Sequence, residues 1–178
     1  DLVLRDLDLL EEISLKTYAA VTFTVTTADD ALSKQLEPGA PVSSRRLAAL
    51  RTLSRGGLLT GITLMPVLPF IEDNEENIRK IVTLAAENGA RYILPAFGMT
   101  LRDRQRTYYY DKLDQLFPGL RPRYEKLFRE QYSASAQNAA RLGKVFNDLC
   151  RGYGIATKMP VFLPQKRLRD ESLQPRLL

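Results

Sequence analysis

Between residues 20 and 97 the chain alternates strand-like runs with amphipathic ones, and this alternation limits the fold more than any other feature. The first run, AVTFTVTT at 20–27, predicts a strand with Val21, Phe23 and Val25 on one face and Thr22, Thr24 and Thr26 on the other. A short helix is predicted over 29–36, followed by the breaker Glu37-Pro38-Gly39-Ala40-Pro41. Ser43 is expected to cap a helix over RRLAALRTLSR, with Leu47, Leu50 and Leu53 as its buried stripe and Gly56-Gly57 as its stop. Residues 58–68 read as a second strand, nearly continuous in apolar character, as expected of a strand covered on both faces. Asp73-Asn74-Glu75-Glu76 is a capping-box pattern that opens a helix running to about Asn88, with Ile78, Ile81, Val82 and Ala85 on its apolar side. Residues 91–97 form the third predicted strand. Strand, helix, strand, helix, strand with short links predicts βαβ units around a parallel sheet. Three strands cannot close a barrel. The expected fold class is therefore α/β, as a small open sheet or an incomplete parallel (β/α) barrel of three or four strands.

The flanking segments differ. Residues 4–14 place Leu7, Leu10 and Ile13 at helical spacing among acidic residues. From Met99 to about Tyr153 the pattern reads as helices only, ending in a strong amphipathic helix marked by Ala139, Leu142, Val145, Phe146 and Leu149. Residues 155–163 suit a final strand or an extended arm, and 165–178 a polar, basic, poorly ordered tail. The expected division is a partial β/α barrel over 1–98, an all-helical C-terminal extension packed on it over 99–164, and a flexible tail over 165–178. The chain opens at Asp1, without an initiator Met, and reads as a processed or truncated piece.

Composition excludes several chemistries. There is no histidine and one cysteine, Cys150, which removes the usual zinc sites, the Ser-His and Cys-His nucleophile pairs, and any self-contained iron–sulfur site. The sequence offers no catalytic and no metal-ligating candidate. A lone cysteine also points to a reducing, cytoplasmic setting, with Cys150 as a small buried hydrophobe. The most apolar stretch, 64–71, is interrupted by Pro66 and Pro69, far short of the roughly 20 apolar residues of a membrane helix. No signal peptide and no membrane partner are expected. Charge is uneven: residues 1–98 carry 10 basic and 13 acidic side chains, net −3, and 99–178 carry 16 and 8, net +8. The basic second half suits either a solvated helical surface or an anionic partner such as nucleic acid.

The ordered set LEPGAP, RRLAALRTL, a Gly, a strand, and PVLP leading into EDNEEN, within 26–78, resembles the spore-photoproduct-lyase-like branch of the radical S-adenosylmethionine (SAM) superfamily, whose members are often labelled DNA repair photolyases. The likeness continues more weakly through GARYILPAFGM and LCRGYGI, to about residue 163. It implies half of a TIM-like barrel whose intact form holds a [4Fe–4S] cluster and SAM at its C-terminal mouth. The cofactor there supplies a 5′-deoxyadenosyl radical, in lyase-like chemistry on a substrate such as nucleic acid. The chain departs from the pattern where it matters most, because the first strands and the CxxxCxxC loop are absent. By itself it is expected to be inactive.

The resemblance also implies a set of cofactor-binding residues. Thr24 or Thr26, on the polar strand face, would touch the SAM ribose, against the alternative of a plain threonine-rich face. Arg46 would grip the methionyl carboxylate, against a salt bridge to Glu37 that pins the EPGAP loop. Met65 and Pro66 would pack on adenine, against a purely core role. Tyr108-Tyr109-Tyr110 is expected in packing rather than base stacking. The expected partners are the missing N-terminal half of the barrel, a second copy paired through an open strand edge, or nucleic acid. Two non-enzymatic alternatives follow: a catalytically silent self-associating fragment, or a basic nucleic-acid-binding module.

Overall fold

The structure, a computed structural model, describes residues 2–160. A 3-10 turn at Leu2–Asp6 leads into α1 (Leu7–Lys16), then β1 (Ala20–Thr24), α2 (Asp30–Leu36), α3 (Ser43–Arg55), β2 (Leu59–Leu64), α4 (Glu75–Glu87) and β3 (Tyr92–Pro95). After these come β4 (Gly98–Thr100), α5 (Asp103–Leu116), α6 (Arg121–Phe128), β5 (Ser133–Ser135) and α7 (Ala139–Tyr153). The fold is α/β. The strands β1-β2-β3 form a parallel sheet in that order, with Phe23 beside Ile62 and Ile62 beside Ile93. Ala156 adds a single isolated parallel bridge beside Tyr92. The expected arm over 155–163 is described only to residue 160, and the tail over 165–178 lies outside the described residues.

One face of the sheet is apolar and carries α3, α4 and α7. Ile62, Leu64 and Ile93 pack there with Leu47 and Leu50 of α3, Ile78, Ile81 and Val82 of α4, and Leu142, Phe146 and Cys150 of α7. Burying such aliphatic side chains is worth about 1.5–3 kcal/mol each, so this layer is the main source of stability. The other face carries Thr22 and Thr24 of β1, Gly61 and Thr63 of β2, and Tyr92 of β3. Thr24 bonds Thr63 hydroxyl to hydroxyl at 2.8 Å, and Tyr92 bonds Thr22. No closed barrel is present among the described residues.

The strands are shorter than the sequence predicts. β1 ends at Thr24 rather than Thr27, because the side chain of Asn77 takes over the pairing: it accepts from Ala28 N–H at 3.0 Å and donates to Thr26 O at 2.8 Å. β2 ends at Leu64, ahead of Met65-Pro66, where proline supplies no N–H. Asp29 caps α2 by accepting from Ala31 and Leu32 N–H, and Asn74 caps α4 by accepting from Asn77 N–H at 2.8 Å. Ser43 is not the cap of α3. It is the first helical residue and buried, Val42 holds the cap position, and the carboxylate of Asp30 reaches across from α2 to Ser44 N–H at 2.9 Å.

The segment after residue 98 is not all-helical. β4 and β5 form an antiparallel ribbon with Met99 opposite Ala134, and it encloses α5 and α6 in sequence. Around it lies a second core of aromatic type: Tyr110, Leu113, Tyr124 and Phe128, with Phe70 packed against Tyr124 at 5.4 Å between ring centroids. Short pieces such as GMT and SAS carry too few residues to show a strand period, which is why the ribbon does not stand out in the sequence. α7 belongs to the sheet layer rather than to this second core.

Candidate functional site

A cavity of about 530 Å³ opens at the C-terminal ends of β1 and β2. Thr24, Thr26, Pro66 and Leu68 come from the strand ends and the residues just after them. Gln35, Leu36, Glu37 and Pro38 come from the end of α2 and the turn after it, and Tyr109, Leu113 and Leu116 from α5. The two sides are joined where Gln35 donates to Leu116 O at 3.0 Å. The walls are mostly aliphatic, with Lys34, Lys112 and Glu37 among the polar lining groups. The volume lies in the range of about 300–1,000 Å³ usual for small-molecule sites, and strand C-termini are where α/β folds bind ligands.

The structure thus brings together three of the five predicted residues: Thr24, Thr26 and Pro66. Met65 turns elsewhere. It is 37% exposed and lines a neighbouring groove with Pro66, Phe97 and Met99. Arg46 lies behind the wall and is buried. It donates to Pro41 O and to Thr24 O, both at 2.7 Å, and pairs with Glu37. This is the pinning arrangement for the EPGAP turn. The arginine ties the turn to the end of β1 and so fixes the position of Thr24.

The residue that sequence reasoning missed is Glu72. It is 1% exposed and lines the cavity from the loop between β2 and α4. One carboxyl oxygen accepts from Leu68 N–H at 3.0 Å, while Oε1 is buried without a hydrogen bond of ordinary geometry. Burial pushes its pKa up to about 7; the Thr26 hydroxyl and Leu68 N–H work against the rise, and Glu37 and Asp73 add to it. The loop is held at both ends. Asn77 donates to Glu72 O at 3.0 Å, and Tyr124 donates to Pro69 O at 2.6 Å. With its proton committed to Pro69, Tyr124 accepts from Tyr109 at 2.9 Å, which orients the Tyr109 ring at the cavity wall. In the sequence Glu72 stands next to Asp73-Asn74-Glu75-Glu76 and cannot be told from a helix-start acid. The one available signal is its place directly after the apolar run ending in Ile71.

Of the tyrosine run, Tyr109 and Tyr110 join the aromatic core and Tyr108 is exposed. Cys150 is fully buried in the sheet core, as expected of a small hydrophobe, and burial raises its thiol pKa to about 11. Among the described residues no helix is long and apolar enough to cross a membrane. Nor is there among them a cluster of three or more His, Cys, Asp or Glu side chains able to hold a metal.

No family model matches the chain, and no solved structure matches it. It is similar to an uncharacterised protein of Mycobacterium tuberculosis, 30% identical over 128 residues that cover 72% of this chain and 37% of that protein. It is also similar to an uncharacterised protein of Acidianus two-tailed virus, 28% identical over 161 residues covering 88% of this chain and 47% of that one. A third, an uncharacterised protein of Methanocaldococcus jannaschii, is 35% identical over 75 residues covering 42% and 28%. The chain therefore spans between about a quarter and a half of the length of these curated relatives.

Proposed function

We propose that this chain is the C-terminal part of a radical SAM enzyme of the spore-photoproduct-lyase-like type, and that the cavity at the ends of β1 and β2 receives the adenosyl portion of SAM. The observation that carries the reading is the one-sided sheet: helices cover its apolar face, its other face is threonine-lined, and the cavity sits at the strand C-termini. A lumen-facing polar side with ligands at the C-terminal mouth is what half of a β/α barrel supplies. The greater length of the relatives leaves room for the remaining strands.

The residues of the cavity fit an adenosyl group. Thr24 and Thr26 offer hydroxyls to a ribose, and Pro66, Leu68 and Leu113 offer apolar walls to a base. They do not fit the cluster. The chain has one cysteine, and it is sealed in the sheet core, so no step through a cluster is assigned to these residues. When bound in the intact enzyme, the cofactor pair supplies hydrogen-atom abstraction. The part of this chain is to bind, orient and exclude water. Arg46 and Glu37 hold the wall rather than the ligand, and Met65 serves the adjacent groove.

The test uses the longer protein that contains this sequence, prepared without oxygen. The reading expects about four irons per chain and reductive cleavage of SAM to 5′-deoxyadenosine, with cleavage weakened by Thr24→Val and Thr26→Val. An intact protein that binds neither iron nor SAM would end it.

A further inference from the structure

α1 is a helix with only part of its support. Its Leu7 and Leu10, with Val3 and Leu4 just before it, join Val21 and Phe23 of β1 in a small cluster around Ala19, Leu53 and Leu58. Phe23 also packs against the aliphatic core, so α1 lies on the same face of the sheet as α3 and α4. α3 straddles β1 and β2 and buries Leu47, Leu50 and Leu53, whereas α1 buries no residue. Leu9 and Ile13, one turn apart on another side of α1, are left 55% and 44% exposed.

Beneath this helix β1 has a single neighbour. Val25 N–H donates to Thr63 O of β2 at 3.1 Å. Backbone groups alternate sides along a parallel strand, so Thr22 and Thr24 turn theirs to the opposite edge. Arg46 takes Thr24 O there, and no strand among the described residues takes the N–H of either threonine. Such an edge is a template for another strand. Its side is set by handedness. Crossovers between parallel strands are right-handed. α3 and α4 cross that way from β1 to β2 and from β2 to β3. α1 lies on the same face ahead of β1, and it can make the same crossover only from a strand on the free edge of β1.

We infer that this edge and the Leu9–Ile13 stripe form one interface, filled by a parallel strand that precedes α1 in a longer polypeptide and sets apolar side chains beneath it. The relatives have the length for it, since the matched region is 37% of the Mycobacterium tuberculosis protein and 47% of the viral one. The inference rests on the reading of this chain as part of a longer protein, and not on the cofactor assigned to the cavity.

Hydrogen exchange of the longer protein, read residue by residue over β1, tests this. The amides of Thr22 and Thr24 should exchange at least about a hundredfold more slowly than in the 178-residue chain. Leu9→Ser combined with Ile13→Ser in the longer protein should speed them at least about tenfold. Leu15→Ser, at the exposed end of the same helix, should leave them unchanged. Equal exchange in the two proteins, or equal effects of the two sets of changes, would overturn the inference. So would a 178-residue chain that sediments as a dimer with these amides protected, which assigns the edge to a second copy. Iron and SAM binding are measured separately on the longer protein. Protection without either ends the cofactor reading and keeps the interface, and both without protection do the reverse.

Discussion

The ring of Tyr92 occupies the space that a Cβ at Gly61 would fill, and this lets a β3 side chain cross β2 to bond Thr22 on β1. The three strands are therefore linked on their polar face by one phenol, in addition to the backbone ladder.

Gly61→Ala would push a methyl group into that ring. Overpacking of this kind costs about 1–3 kcal/mol. Tyr92→Phe removes only the hydroxyl contact and should cost about 1 kcal/mol. Urea unfolding midpoints of the two variants should fall in that order; equal midpoints would mean that the ring moves aside freely.

Glu72 makes stability depend on pH in an unusual direction for a carboxyl. Its pKa is raised from 4.5 to about 7 on folding, so between those values the native state holds more proton than the unfolded state. Its contribution is present in full below pH 4.5 and is lost as pH rises through 7. The swing is on the order of 3 kcal/mol. Glu72→Gln should flatten the slope between pH 5 and 8 in chemical denaturation, and an unchanged slope would exclude Glu72 as its source.

Arg46 is buried and shared among Pro41 O, Thr24 O and Glu37. Arg46→Ala leaves two carbonyls without their donor, while Glu37, 43% exposed, keeps access to water; the change should cost about 2–4 kcal/mol. Arg46→Lys keeps the charge but loses the fork that reaches three acceptors, so thermal unfolding should place it between wild type and Ala.

Cys150, with its thiol raised to about 11 by burial, should resist thiol reagents. Labelling of the folded chain at pH 8 is expected to be at least about a hundredfold slower than in denaturant. Similar rates in both would mean that the lower end of α7 opens readily.

The parallel layer was legible because its signals repeat. Leu47, Leu50 and Leu53 recur at helical spacing, and Ile78, Ile81, Val82 and Ala85 do so again on α4; all are buried. Asp29 and Asn74 announce two helix starts through residue type alone. What failed to show was whatever depends on distant partners. Asp30 caps a helix 13 positions on, a service that no local pattern records. β4 and β5 exist because residues 98–100 meet 133–135 across two helices. Among the site residues, Thr24 and Thr26 were readable from strand alternation. Glu72 was not, since its burial comes from the aromatic core that draws its loop inward through Tyr124 and Phe70.

The molecule has two separate cores, aliphatic under the sheet and aromatic around Tyr124, and the cavity lies along the seam between them. Thr24 and Pro66 ride on the first body, Tyr109 and Leu113 on the second. A change such as Phe128→Leu acts on the aromatic core and on the loop that Phe70 and Pro69 anchor to it, and leaves the aliphatic layer under the sheet untouched. The gap's width can thus be retuned, by mutation or by a lodged guest, without loosening the strands that give the chain its backbone order.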